Sequence, residues 1–456
     1  MTEEGELPEG WTRYPLESLL EPGGLFDGPF GSNLKTSDYT ESGVRVVRLE
    51  NLSNLRFNEE KRTYVSREKY QSLEKHTVRT GDLLFGSFLD DAVRVAMLPE
   101  LPTPAIAKAD CFCIRTRRDL VDSRFLMYRL GATETKDALI EDIHGATRPR
   151  VTTRQLRALR IGLPLVSEQV RIAARIEVAL ASVTGASERL SGAGSVLKRL
   201  RRSTLAAACD GRLTEDWRHN RGESDDWPTV DLESVAEGFS YGSAAKSSPT
   251  GRVPVLRMGN IQAGLLDWSD LVYTSDTKEI AKYRLAPGDV LFNRTNSPEL
   301  VGKTAVYRGE RLAIYAGYLI RIRCSPKLLP DFLNYSLNGP AGREYLASVR
   351  TDGVSQSNIN ARSLAAFEFG LPSISEQHEI VRRVEALFAL ADAIEKRVAG
   401  ALSRADMLTQ AILAKAFRGE LVPTEAELNR RRETTNATPP PVARPTTARP
   451  ARRRSR

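Results

Sequence analysis

The sequence predicts an α+β protein made by internal duplication. Two tandem globular domains with mixed or antiparallel sheets are separated by two long helices that pair antiparallel, a pseudo-twofold arrangement. Three observations predict it. First, Ile161-Gly-Leu-Pro-Leu-Val-Ser-Glu-Gln169 returns as Phe369-Gly-Leu-Pro-Ser-Ile-Ser-Glu-Gln377. Each opens a long helical pattern, closed by Asp-Gly-Arg-Leu213 and by Arg-Gly-Glu-Leu421. The offset is 208 residues at the start (Gly162 to Gly370) and 208 at the end (Gly211 to Gly419), so the copies differ by no net insertion. Second, both helical stretches carry an apolar position every three or four residues: Ile172, Ile176, Ala179, Val183 and onward to Leu200 and Thr204, then Ile380, Val384, Leu387, Ala391 and onward to Leu408 and Ile412. That average of 3.5 favours a left-handed pair of helices packed seam to seam. Third, the globular segments repeat. Trp11 with Leu16-Glu-Ser18 matches Trp227 with Leu232-Glu-Ser234, Gly81-Asp-Leu-Leu-Phe85 matches Gly288-Asp-Val-Leu-Phe292, and Phe125-Leu-Met-Tyr128 matches Phe332-Leu-Asn-Tyr335.

In chain order, residues 1–163 form the first globular domain and 164–216 the first helix. Residues 217–371 form the second domain, 372–422 the second helix, and 423–456 a disordered Pro- and Arg-rich tail. Short apolar runs such as Val44–Leu49, Leu83–Phe85, Phe112–Arg115, Val253–Met258, Thr304–Tyr307 and Ala316–Ile322 read as strands between Gly, Pro and Asn turns. Segments near Arg124–Leu130 and Pro330–Asn338 read as short helices. Ser167 and Ser375 are placed as N-caps, Glu168 and Glu376 suit the positive end of the helix dipole, and Gly211 and Gly419 stand where a left-handed C-cap ends each helix. Each rod would be about 65 Å long. Gly185, Gly192 and Gly194 each weaken the first helix by about 1 kcal/mol against alanine. A local bend, or a closely packed neighbour, is expected there.

Composition excludes several classes. No apolar run is long enough to span a bilayer and no signal-peptide pattern opens the chain, so a cytoplasmic protein is expected. Cys111, Cys113, Cys209 and Cys324 are scattered without matching metal ligands, which suits reduced structural thiols. The tail from Asn429 holds nine arginines against one acid, Glu433, and this equals the whole net charge of +8. The rest of the chain is formally neutral, so any nucleic-acid surface must come from local clustering. The tail cannot bury a core, and weak phosphate binding is its functional reading beside plain solvation.

Catalytic signatures are missing. Val301-Gly-Lys-Thr304 resembles the end of a phosphate-binding loop, but the pattern needs glycine at 297, where this chain has Ser297 followed by Pro298. Proline removes an N–H from a loop whose function is to present N–H groups. There is no Gly-x-Gly-x-x-Gly, no Asn/Asp-Pro-Pro-Tyr/Phe and no His-Glu-x-x-His. The four histidines resemble no triad, and Asp276-Thr-Lys278 stands without a nuclease context. The reading is a non-catalytic scaffold that recognises something twice.

The duplicated domain and helix, with Leu-Pro-x-x-Ser-Glu-Gln opening each helix, resemble the specificity (S) subunit of type I restriction–modification systems. The likeness covers about residues 8–422. Gly28-Pro-Phe-Gly-Ser-Asn-Leu-Lys35 and Tyr241-Gly-Ser-Ala-Ala-Lys246 look like opening loops of target-recognition domains. Gly288-Asp-Val-Leu-Phe-Asn-Arg-Thr-Asn-Ser297 with Val301-Gly-Lys303 is also family-like. Gly145-Ala-Thr-Arg-Pro-Arg150 and Gly353-Val-Ser-Gln-Ser-Asn358 resemble the loop ahead of the last strand. The first domain departs by having Gly86-Ser-Phe-Leu-Asp90 where the second has Asn-Arg-Thr-Asn-Ser.

The resemblance implies that each recognition domain reads one half of a bipartite, asymmetric site on double-stranded DNA and that the helix pair sets the spacer. Half-sites one helical turn apart lie roughly 34 Å from each other. It implies two modification (methyltransferase) subunits docked on the helices and restriction (translocase and nuclease) subunits beside them. No cofactor is expected on this chain; S-adenosylmethionine, ATP and Mg belong to those partners. Arginine and lysine neutralise phosphates, while asparagine, glutamine and arginine pair with base edges. The candidate DNA-binding residues are therefore Ser32, Asn33, Lys35, Arg148, Arg150, Lys246, Arg294, Asn296, Ser297, Lys303, Gln356, Ser357 and Asn358. Arg48, Asn51, Arg257 and Asn260 recur in both copies and are read as structural or phosphate-binding. Two alternatives are a DNA-binding adaptor of the same architecture serving another effector, and a coiled-coil structural protein without a nucleic-acid role.

Overall fold

Strands form where the short apolar runs lie between turn residues. The computed structural model of the chain describes residues 6–90, 92–141, 149–353 and 356–436. They fall into two units, 1–188 with 401–456 and 189–400. Each unit thus holds one globular domain, the start of the helix that follows it, and the end of the other long helix.

In the first unit a four-stranded antiparallel sheet runs in the order Val95–Met97, Leu83–Gly86, Cys111–Thr116, Leu20–Phe26. A five-stranded sheet runs Tyr39–Thr40, Thr63–Val65, Val44–Val47, Ala105–Ala107, Thr77–Val78, with Val44–Val47 and Ala105–Ala107 parallel. The second unit repeats the plan. Ala236–Tyr241, Leu319–Cys324, Val290–Asn293 and Thr304–Val306 form the antiparallel sheet. Val272–Thr274, Val253–Leu256 and Ile314–Tyr315 form the smaller one, again with a parallel pair.

The predicted strand Val44–Leu49 stops at Val47 because Leu49–Asn51 tightens into a 3-10 turn. The buried Asn51 closes it. Its Oδ1 accepts from Arg48 N–H at 2.9 Å, and its Nδ2 donates to the carbonyls of Asn58 (2.9 Å) and Lys61 (2.8 Å). Asn260 makes the same three bonds, to Arg257 N–H (2.8 Å) and the carbonyls of Asp267 (2.9 Å) and Asp270 (2.8 Å). These recurring asparagines are structural pins.

The second long helix runs unbroken over Ile374–Phe417, 44 residues. The first is interrupted, with Val166–Ser191 and Ala193–Cys209 meeting at Gly192. A Cβ placed on Gly185 or Gly194 would meet nothing within 4 Å among the described residues, so no close neighbour there accounts for these glycines. They loosen the helix instead. The expected apolar seam is buried at Ile172, Ile176, Leu197, Thr204, Ile380, Val384 and Ala391, but Ile394 and Leu408 are exposed. Near its end the second helix buries Leu413 and Ala416 rather than Ile412, because that face packs into the core of the first domain, where the Phe417 ring meets Phe125 edge-on at 5.5 Å. The domain, as well as the opposite helix, selects which residues go inside.

The Ser-Glu-Gln motif has a structural role that differs from the expected one. The N-terminal turns begin two residues earlier. Glu168 N–H and Gln169 N–H bond to Leu165 O (2.9 and 3.0 Å), and Glu376 N–H donates to Ser373 Oγ at 3.3 Å. The caps are thus Leu165 and Ser373, not Ser167 and Ser375, and Leu165 has no side-chain acceptor to offer. Glu168 and Glu376 are buried. Glu168 accepts from Trp11 Nε1 at 2.8 Å, and Glu376 from Trp227 Nε1 at 3.0 Å. Gln169 and Gln377 tie the domain to its helix. Each accepts from a backbone N–H (Asp122, 2.9 Å; Leu329, 2.7 Å) and donates to two carbonyls. Gly211 (φ 82°) and Gly419 (φ 74°) are left-handed, as the C-cap positions require.

The two buried carboxylates are completed differently. Glu376 receives Thr214 Oγ1 at 2.6 Å and the buried Arg218 guanidinium, from the segment that follows the first helix. Glu168 receives Glu425 N–H at 2.7 Å. That N–H belongs to a 12-residue helix, Glu425–Asn436, which replaces the first part of the tail expected to be disordered from 423. A capping box starts it: Glu427 N–H donates to Thr424 Oγ1 and Thr424 N–H to Glu427 Oε2, both at 3.2 Å. Residues 437–456 lie outside the described residues.

A chain ending at Val422 leaves Glu168 short of a donor, at an expected loss of about 1–3 kcal/mol. Glu168→Gln should restore part of that stability in the truncated chain only. Calorimetric melting of the four combinations checks this; the same effect of Glu168→Gln in both lengths would rule out the contact. Glu379 is held down to about 2, first by Arg382 and then by Arg383, which also joins Asp216 at 2.6 Å. A carboxylate depressed from its ordinary 4.5 stabilises fully above that value and loses the contribution as pH falls toward 2. Glu379→Gln should therefore melt below the parent at pH 7, with the gap closing between about pH 4.5 and 2. A gap that stays constant through this window would assign the effect to packing.

Candidate nucleic-acid interface

Each unit presents an opening loop over the end of its antiparallel sheet, and a close backbone approach holds each loop down. A Cβ on Gly28 would lie 2.2 Å from Lys108 C and 2.3 Å from Ala107 O. A Cβ on Gly242 would lie 2.4 Å from both Tyr315 O and Ala316 O. Only glycine fits either position. Beyond Gly28 the chain makes one turn, with Asn33 and Leu34 N–H bonded to Phe30 O, and Leu34 buried as its anchor. Ser32, Asn33 and Lys35 stand exposed on it, and Lys35 N–H is fixed by Asp38 Oδ2 at 2.7 Å. Phe30, 54% exposed between Pro29 and Gly31, is a loop-tip aromatic that sequence reasoning passed over. Lys246 stands exposed on the second unit's loop.

In the second unit the two separate strings of sequence come together. Thr295–Asn296 pairs with Ser357–Asn358, which pairs in turn with Thr351–Asp352. Arg294, Asn296, Ser297, Gln356 and Asn358 thus share one small sheet and its margins. Asn358 accepts from Arg294 Nη2 at 3.2 Å and donates to Thr295 Oγ1 at 3.0 Å. Asn296 Oδ1 accepts from Ser297 N–H at 2.9 Å, closing the turn that follows. Gln356 is exposed. Ser357 is the correction in this group: it is fully buried and its hydroxyl donates to Asp352, so it serves the turn and offers nothing outward.

Lys303 sits at the end of the Ser297–Lys303 turn and donates to Gln262 Oε1 at 3.2 Å. Burial first, and then repulsion from Arg343, lower its pKa from the usual lysine value. Arg343 was not foreseen. Its guanidinium donates to Val301 O (2.9 Å) and Glu299 O (3.1 Å), and Arg350 donates to Pro298 O (3.2 Å). The turn is therefore held by its carbonyls, the reverse of a loop that offers amides to a nucleotide. The Thr304 hydroxyl is buried against Asn334 at 2.7 Å, so the partial phosphate-loop pattern does not build a nucleotide site.

In the first unit the same bridge carries different chemistry. Phe88 pairs with Arg150, as Thr295 pairs with Asn358, and Val151 N–H bonds to Ser87 O (2.7 Å), as Ile359 N–H bonds to Arg294 O (2.9 Å). Ser87 thus occupies the place of Arg294. Arg150 lies over the Phe88 ring and pairs with Asp110 at 2.6 Å, so its charge is already answered. Arg148 lies outside the described residues.

The family described as type I restriction modification DNA specificity domain matches residues 224–403. The chain is 30% identical to the type I restriction enzyme StySPI specificity subunit of Salmonella potsdam, across 424 residues that cover 91% of this chain and 90% of that one. The chain belongs to the type I restriction enzyme specificity subunits. A specificity subunit is the non-catalytic, DNA-specifying member of its system. The EcoKI specificity subunit of Escherichia coli K12 is 29% identical with the same coverage. A solved chain from work on complex assembly and conformational transition of the type I R-M system shares the fold, with a TM-score of 0.64 over 91% of this chain and 100% of that one, at 20% identity.

Among the described residues of this specificity subunit, no helix is long and apolar enough to cross a membrane. The four cysteines are free thiols; Cys111 and Cys113 are buried, and Cys209 is pushed up to about 12 by burial. For the opening loops, Gly242→Ala is expected to force the loop off the sheet at about 1–3 kcal/mol, as overpacking does. Thermal melting together with limited proteolysis of residues 242–252 checks it, and an unaltered cleavage rate would count against the close approach.

Proposed function

We propose that each globular domain reads one half of a split, asymmetric DNA sequence and that the helix pair fixes the gap between the halves. The observation that carries this reading is the bridge common to both units. The backbone is the same, yet it carries a fully buried Ser87 with Phe88 and Arg150 in one unit and a part-exposed Arg294 with Thr295 and Asn358 in the other. A scaffold kept while the side chains on it change suits two readers of different sequences. Because the chain up to residue 428 is formally neutral, the ionic part of binding rests on local cations such as Lys35, Lys246 and Lys303.

Two modification subunits would dock on the long helices, where Val178 and Met407 of the first unit and Val196 and Leu390 of the second leave large apolar surface in solvent. Restriction subunits would join them. S-adenosylmethionine, ATP and Mg would act on those partners, and this chain would direct the methylation of adenine without touching the reacting atoms.

Single-molecule mapping of N6-methyladenine tests the reading. Loss of methylation at a split motif on deletion of the gene is expected. A variant with four residues inserted into Ile374–Phe417 should restore methylation at both half-sequences with a changed gap. Methylation that ignores the deletion would leave the adaptor reading, and an unchanged gap would remove the spacer role.

A further inference from the structure

Resting on that reading, we propose that Arg294 is a specificity-determining residue of the second domain and that it reads a guanine in the second half-site.

The side chain is held before any ligand arrives. Its guanidinium lies 4.7 Å from the centroid of the Tyr241 ring, and Nη2 donates to Asn358 Oδ1 at 3.2 Å. Both supports are themselves fixed. Asn358 is oriented by its bond to Thr295, and the Tyr241 hydroxyl accepts from Ala361 N–H at 3.1 Å. The backbone is tied on both sides, with Arg294 N–H to Tyr318 O (3.0 Å) and Ile359 N–H to Arg294 O (2.9 Å). Nε is buried and finds no acceptor among the described residues, so the plane is kept at the expense of one hydrogen bond.

The charge is unanswered as well. Arg150, Arg257, Arg308 and Arg350 each have a carboxylate within 3.1 Å. Among the described residues no carboxylate pairs with Arg294. A planar cation with fixed orientation and no counter-ion matches a ligand edge that offers two acceptors side by side. The major-groove edge of guanine does so through O6 and N7, and arginine is its commonest partner. A phosphate can also take this fork, and the two ligands differ in that only the base edge ties the contact to one position of the sequence.

Comparison of the two units separates reading from scaffold. Asn51 and Asn260 are shared and bond only to backbone, whereas the place of Arg294 is taken by Ser87 in the first unit. A residue that differs at a matched position is the kind that distinguishes one half-sequence from another.

The test is selection of a randomised split-site DNA library by the full chain, alone and assembled with its modification subunits, followed by sequencing of the retained DNA. The parent is expected to retain an invariant guanine at one position of the second half-site. Arg294→Ala should lower the preference at that position by about 10- to 100-fold and leave the others intact. Tyr241→Leu should weaken the same preference less, and Lys303→Ala should reduce binding evenly across sequences. Equal melting temperatures of the parent, Arg294→Ala, Tyr241→Leu and Lys303→Ala establish that the variants are folded. Even loss across sequences for Arg294→Ala would make it a phosphate contact, and an unaltered preference would remove it from recognition; either result overturns the proposal. A parent that selects no split motif would instead overturn the functional reading beneath it.

Discussion

A carboxylate taken out of water must be given donors, and each unit of this protein is arranged around one. Glu168 and Glu376 sit in the first turn of the long helices, where the dipole favours them, but their burial demands more than a dipole. A tryptophan N–H from the start of the domain answers each, and a second donor comes from the chain that follows a long helix. The neighbouring glutamines bond to backbone groups only. One pair of adjacent residues thereby fixes where domain, helix start and returning chain meet. For Glu376 the returning chain brings Arg218, a true counter-charge. For Glu168 it brings the N-terminus of Glu425–Asn436, a helix whose own polarity does the same service.

Much of this was legible in the sequence because it was written twice. The 208-residue offset gives the duplication, and the short helix at Pro330–Asn338 ends where its pattern says it should. Other features were obscured by competition between local and tertiary preferences. Serine at 167 and 375 looks like a cap, yet the turn starts two residues earlier, since the buried glutamate and glutamine dictate the register. Ile412 fits the helical seam, yet Leu413 goes inside because the domain offers it a core. The helix at 425 was announced by Thr424-Glu-Ala-Glu427, a capping box, and was masked by the arginine-rich composition behind it.

The candidate site was legible as strings but not as a surface. Arg294 and Asn358 are 64 residues apart, and only strand pairing brings them together. Arg343 could not be foreseen, because its role is to hold carbonyls of a turn that is distant in sequence. Ser357 belongs to the right string but points inward, which a two-residue strand imposes on alternate positions. Position along the chain predicted the neighbourhood; alternation and burial decided which members face outward.

The asparagine pins carry a consequence for how such a protein can change. Asn51 and Asn260 touch main chain alone, at carbonyls and amides that every residue but proline possesses in full. A lock of this kind is blind to the side chains passing through it. The hairpins it closes can be rewritten residue by residue while the turn, the strand ahead of it and the sheet keep their places. Mutational freedom is thus left to the side chains of these hairpins, and the frame that would be lost by drifting is held by contacts that drift cannot reach.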